Sequence, residues 1–174
     1  MSRSLHARPV QTPAIDIVRE SPLWQEQPDT EAALRRAIAE AAADVSTKDA
    51  ELAIVLTDDS RIRELNRVWR GIDKPTNVLS FPAKESGGNG ATALLGDIVI
   101  AYETTAREAR EQATPFLHHV AHLTVHGFLH LRGYDHEADD EAETMERLER
   151  AILARLDISD PYAARDAAPI DRNA

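Results

Sequence analysis

The chain has 174 residues, 43% of them hydrophobic and 29% charged, with a formal net charge of −10. That length suits one domain with a sizeable core, and no apolar run approaches the ~20 residues that a membrane helix needs. With no cysteine, disulfides and thiolate metal sites are excluded, so any metal must be held by His, Asp or Glu; the same lack of cysteine fits a cytoplasmic location.

The N-terminal stretch MSRSLHARPVQTP lacks the continuous apolar core of a secretory signal. Its arginines without acids give it a trace of transit-peptide character, but residues 1–13 are read as a disordered extension. AIDIVRE (14–20) places Ile15 and Ile17 on one face, the alternation of a strand. SPLWQEQP (21–28) is a turn-rich connection. Ala33, Leu34, Ala37, Ile38, Ala41 and Val45 then recur at helical spacing, predicting a helix over 30–44 with Asp29 as its N-cap. AELAIVLT (50–57) reads as a buried strand. A short helix follows over 61–69, capped by Ser60, with Ile62, Leu65 and Trp69 inward.

NVLSFPA (77–83) reads as a strand ended by Pro82. KESGGNGATA (84–93) holds three of the seven glycines and predicts a mobile loop before a strand in LGDIVIAY (95–102). Thr104 or Thr105 opens a charged helix to about 113. Thr114 followed by Pro115 marks another helix start. That helix, 115–131, carries apolar residues around nearly its whole circumference, the mark of a helix at the protein centre. Gly133 should end it. A last helix over 139–156 buries Met145, Leu148, Ile152 and Leu156, and after Pro161 the chain is polar and read as disordered. The residues suggest an α+β or α/β sandwich, one small sheet of four strands covered by about five helices, in one domain over 14–156 flanked by a polar tail over 157–174.

Net acidity argues against nucleic-acid binding, but the distribution matters more than the sum. Residues 61–84 hold six basic side chains against Glu64 and Asp73, a local +4. Residues 135–150 hold eight acids against Arg147 and Arg150, a local −6. A basic face therefore remains available on an acidic protein.

The densest chemical signal is HGFLHLRGYDH (126–136). On a helix, His126 and His130 lie on one face about one turn apart. Gly133 lets the chain turn back so that His136 can join them. Three imidazoles with a fourth position open is the coordination plan of a catalytic zinc, not of a closed structural one. Ni²⁺, Cu²⁺ and Co²⁺ also accept such a set. His119 and His122 share the helix face of His126 and fit polar packing or support of a ligand better than ligation. Asp135 either orients a ligand or is a loop carboxylate in water. The spacing equals that of the metzincin proteases, H-E-x-x-H-x-x-G-x-x-H. There the residue after the first histidine is the glutamate base; here it is Gly127. The motif keeps the metal and drops the protease base. Either another group moves the proton or the substrate brings its own nucleophile, as RNA does with its 2′-hydroxyl.

HGFLHLRGYDH resembles the signature of the YbeY family of bacterial endoribonucleases, the rRNA maturation factors. LNRVWRGIDKPTNVLSFP (65–82) resembles that family's second block, LGDIVIAYETTAREA (95–109) its third, and MERLERAIL (145–153) the helix after the signature. The resemblance covers roughly residues 50–153. It implies a single α+β domain, a small mixed four-stranded sheet packed with about five helices, with one Zn²⁺ per chain on His126, His130 and His136 on a buried central helix. It implies cleavage of single-stranded RNA, 16S rRNA 3′-end maturation and ribosome quality control, with the small ribosomal subunit and its proteins as partners, no DNA and no membrane. It also implies that Arg70 is the arginine near the metal. A guanidinium there can hold a phosphate by two hydrogen bonds and steady a pentavalent transition state; on the residues alone, Arg70 is equally a solvated helix end. Thr76, Asn77 and Ser80 are candidates for the same cleft. Two other readings stand beside the nuclease: a non-catalytic ribosome-assembly factor with a structural metal, and another metallohydrolase such as a peptidase, which Gly127 disfavours.

Overall fold

A computed structural model describes residues 12–43, 47, 49–84 and 93–167. Most of the expected N-terminal extension, most of the glycine-rich loop and the end of the C-terminal tail lie outside the described residues. Four strands, β1 (Ala14–Arg19), β2 (Ala50–Thr57), β3 (Val78–Pro82) and β4 (Ala93–Ala101), form one mixed sheet in the order β1-β2-β4-β3. β1, β2 and β4 run parallel, with Ile17 beside Ile54 and Ile54 beside Ile98. β3 lies antiparallel to β4, pairing Ser80 with Ile98, and forms one edge.

Six α-helices accompany the sheet among the described residues: α1 (Thr30–Ala42), α2 (Asp59–Arg70), α3 (Tyr102–Glu111), α4 (Phe116–Leu131), α5 (Asp139–Arg155) and the short α6 (Ala163–Asp166). The alternation along β2 and β4 divides the core. Leu52, Ile54, Leu56, Ile98 and Ile100 pack with the buried faces of α1, α4 and α5. On the opposite side Val99, Ala101 and Leu79 pack with Ile62 of α2. α4 is buried nearly all round, as its composition requires.

The structure departs from the sequence reading at several ends. The N-cap of α2 is Asp58, whose carboxylate accepts from the Arg61 backbone N–H at 3.0 Å, so Ser60 is inside the helix. α3 starts at Tyr102, and the Thr104 hydroxyl and N–H bond Asp59 instead of capping their own helix. Thr114 makes no cap for α4, its hydroxyl donating to the Gln112 carbonyl. The connection 21–28 contains a 3-10 turn, Pro22–Glu26, whose Trp24 is fully buried and donates to the Thr57 carbonyl at 2.8 Å. Trp69, expected inward, is exposed. After Pro161, where a disordered tail was expected, α6 is held by Arg165 on Glu146 at 2.8 and 2.6 Å.

Candidate metal centre

α4 carries His126 and His130 on adjacent turns, and the turn after it delivers His136. Gly133 sits at φ +89°, a left-handed conformation that costs glycine little and a side chain more. One nitrogen from each of the three rings lies within 4.8 Å of the other two. The structure therefore brings together the three histidines picked out by spacing, and together they could hold one metal ion.

The hydrogen bonds around the rings test the fit. His130 Nδ1 lies 2.9 Å from the Tyr134 carbonyl, which can only accept. His126 Nδ1 bonds the Glu149 carboxylate, also an acceptor when ionised. Both Nδ1 atoms must donate, which leaves a lone pair on each Nε2 of the neutral rings. Those two Nε2 atoms face each other at 3.0 Å. Two lone pairs at that distance need a cation. A proton on His130 is disfavoured: burial pushes its pKa below the ordinary histidine value, and His126 and His136 push the same way against the Tyr134 carbonyl and Asp135. A divalent metal suits the arrangement better.

Glu149 is the residue that spacing missed. It is fully buried on α5, with one oxygen on His126 and the other accepting from the Tyr162 hydroxyl. His122 Nε2 lies 3.5 Å away. Burial alone would raise its pKa, but the bonds from His122, His126 and Tyr162 outweigh that and hold it down at about 2. The signal was present: Glu149 falls on the Met145–Ile152 apolar stripe, where a carboxylate is out of place without a partner. Asp135 makes no hydrogen bond to a histidine ring among the described residues; its carboxylate accepts from the His136 backbone N–H at 2.7 Å. His119 is likewise a packing residue, its Nε2 2.7 Å from Glu108. Glu108 also accepts from Asn77 Nδ2 at 2.9 Å, while Asn77 Oδ1 accepts from the Val78 N–H at 2.7 Å. That network ties the start of β3 to α3 and α4.

A cleft of about 640 Å³ opens over the cluster. The three histidines, Arg70, Thr76, Asn77 and Ser80 all line it. Arg70 ends α2 and, among the described residues, makes no ion pair. Gly127 is buried under the cleft, and a Cβ there would meet Ile98 Cγ2 at 2.9 Å and Ser80 Oγ at 3.1 Å. The position a protease gives to its catalytic glutamate is here the contact between α4 and the sheet.

The family model for endoribonuclease YbeY matches residues 19–157. The chain belongs to the YbeY family. A protein named endoribonuclease YbeY from Rhodopseudomonas palustris (strain BisA53) is 55% identical over 165 residues, covering 92% of this chain and 96% of its own. One of the same name from Bradyrhizobium sp. (strain BTAi1 / ATCC BAA-1182) is 57% identical over 160 residues, covering 88% and 95%. A solution structure from Thermotoga maritima aligns at TM-score 0.47 and 23% identity over 92% of this chain and 99% of that one. The YbeY match takes in all the cleft-lining residues and Glu149, and ends before Tyr162.

Proposed function

We propose that this chain is a zinc-dependent endoribonuclease that cuts single-stranded RNA, acts in 16S rRNA 3′-end maturation and ribosome quality control, and works in the cytoplasm on the small ribosomal subunit. Membership of the YbeY family and the name its relatives carry support the nuclease class. No described helix is long and apolar enough to cross a membrane. The observation that carries the reading is the pair of facing lone pairs on His126 and His130, with His136 beside them, in a cleft that also holds Arg70.

His126, His130 and His136 would hold the ion. When bound, it supplies Lewis acidity toward a phosphate oxygen. Arg70 would take the phosphate's other oxygens in a two-pronged contact and stabilise the charge that grows as the bond breaks. Glu149 fixes the His126 ring and keeps its proton on Nδ1. With no carboxylate at position 127, the peptidase reading lacks its usual base, whereas RNA carries its own nucleophile in the 2′-hydroxyl.

The test is cleavage of a single-stranded fragment of the 16S rRNA 3′ end by highly purified protein, alongside His130→Ala, Arg70→Ala and chelator-treated samples. The wild type should cut and the other three should not. Equal cutting by all four would assign the activity to a contaminant. A metal-loaded wild type that cuts nothing, alone or with small subunits, would favour the assembly-factor reading.

A further inference from the structure

We propose that Trp69, flanked by Phe81, is a stacking platform for one nucleobase of the RNA strand whose phosphate lies at Arg70 and the histidine cluster; this rests on the ribonuclease reading above. The first observation is misplaced apolar surface. The inward stripe of α2 buries Ile62 and Asn66 completely or nearly so, and Ile62 packs on Leu79, Val99 and Ala101. Trp69 continues that stripe but is 69% exposed. At this point the helix has run past the core, and its next inward residue faces the cleft instead. Trp69 meets Phe81 edge to face with ring centroids 5.8 Å apart, and both rings line the cleft that holds the histidines. Exposed indoles generally mark recognition surfaces, because the ring offers a large apolar face at small entropic cost.

The second observation is charge. Arg61 and Arg63 are bound to Glu64 and Asp73. Among the described residues Arg70 and Lys74, which follow Trp69 in the chain, make no ion pair, and Arg70 lines the cleft; Arg67 lies within electrostatic reach of Asp73. An aromatic face beside unpaired cations is the recipe for single-stranded nucleic acid: the cations follow the phosphates and the ring takes a base of any identity. A purely apolar protein partner would not call for unpaired cations beside the ring. The cleft's size accommodates a nucleotide.

The experiment titrates metal-loaded protein with a 2′-O-methyl oligonucleotide, which resists cleavage through the 2′ position, and with the same strand carrying abasic positions. Affinities of all the proteins are read from the fluorescence anisotropy of an end-labelled strand; in addition, the chain has two tryptophans and Trp24 is buried, so quenching of the wild type on binding reports Trp69. The wild type should show quenching, Trp69→Phe should bind within about threefold of it, and Trp69→Leu should bind about tenfold more weakly, the ~1.4 kcal/mol scale of one stacked base. Abasic substitution should weaken the wild type by a like factor and leave Trp69→Leu unaffected. Absence of quenching, wild-type affinity in Trp69→Leu, or equal sensitivity of both proteins to abasic sites would overturn the proposal. RNA cleavage is assayed in parallel. If the wild type cuts while Trp69→Leu binds normally, the subsite alone falls and the exposed surface belongs to a protein contact. If the wild type neither binds nor cuts RNA, the ribonuclease reading fails first and the subsite with it.

Discussion

An imidazole holds a metal well only when its other nitrogen is itself held, and at His126 the holder is Glu149 on a different helix. Glu149→Gln keeps an acceptor of the same shape and removes the charge. Metal affinity should fall by roughly 10- to 100-fold, read by competition with a chromophoric chelator; unchanged affinity would reduce Glu149 to a packing residue. Tyr162→Phe removes the donor on the carboxylate's other oxygen and should give a smaller loss in the same assay. Arg70 makes a different demand. Arg70→Lys keeps the charge but loses the planar fork, so if the contact is two-pronged the cleavage rate should drop by about 10²-fold with metal affinity unchanged. A lysine variant of wild-type activity would show that charge alone suffices.

Between elements, the tightest constraint is where α4 crosses the sheet. Gly127 lets Ile98 and Ser80 approach to distances that leave no room for a methyl group. Gly127→Ala gains the helix propensity of alanine, about 1 kcal/mol, but must push β4 and the Ser80 hydroxyl away, which costs about 1–3 kcal/mol. The net expectation is a lower melting temperature by calorimetry and, because His126 and His130 flank the contact, weaker metal binding. A gain in stability would show that the sheet yields there. The same junction shows what the sequence made legible. The four strands, the buried α4 and the histidine cluster follow from periodicity and spacing, since those signals are local. The true caps of α2 and α3 do not: Asp58, Ser60, Thr104 and Thr114 are all chemically able to cap, and Thr104 is claimed by Asp59 from another helix. Trp24 hid in a turn-rich stretch because its partners, Tyr102 and Phe116, are far away in the chain. Trp69 misled because a helical stripe says which residues share a face and not how far the core extends beneath it. Glu149 was readable as an acid on an apolar stripe, but its partner His126 was not.

For the whole molecule, the carboxylates held by histidines set the response to acid. Glu149 titrates at about 2. Glu108 is also depressed: burial raises it, but the bonds from His119 and Asn77 win. In the unfolded chain both return to the ordinary value near ~4.3. Between the folded and unfolded values the unfolded chain binds more protons, so stability increases with pH in that window. The contribution is complete above about pH 5 and is lost as pH falls through 4 toward 2; for Glu149 it is on the order of 3 kcal/mol. His130, held below its ordinary value, acts in the same direction from about pH 6.5 downward. Opposing it, a chain with net charge −10 is relieved of self-repulsion as its surface acids begin to protonate. The melting temperature of metal-stripped protein should therefore change little between pH 7 and 5 and fall steeply below 4.5. Glu108→Gln and Glu149→Gln should each start lower at pH 7 and show a shallower acid limb, because a neutral amide has no proton to take up. Parallel curves for wild type and both variants would place the acid sensitivity in the surface charges and not in these two histidine–carboxylate networks.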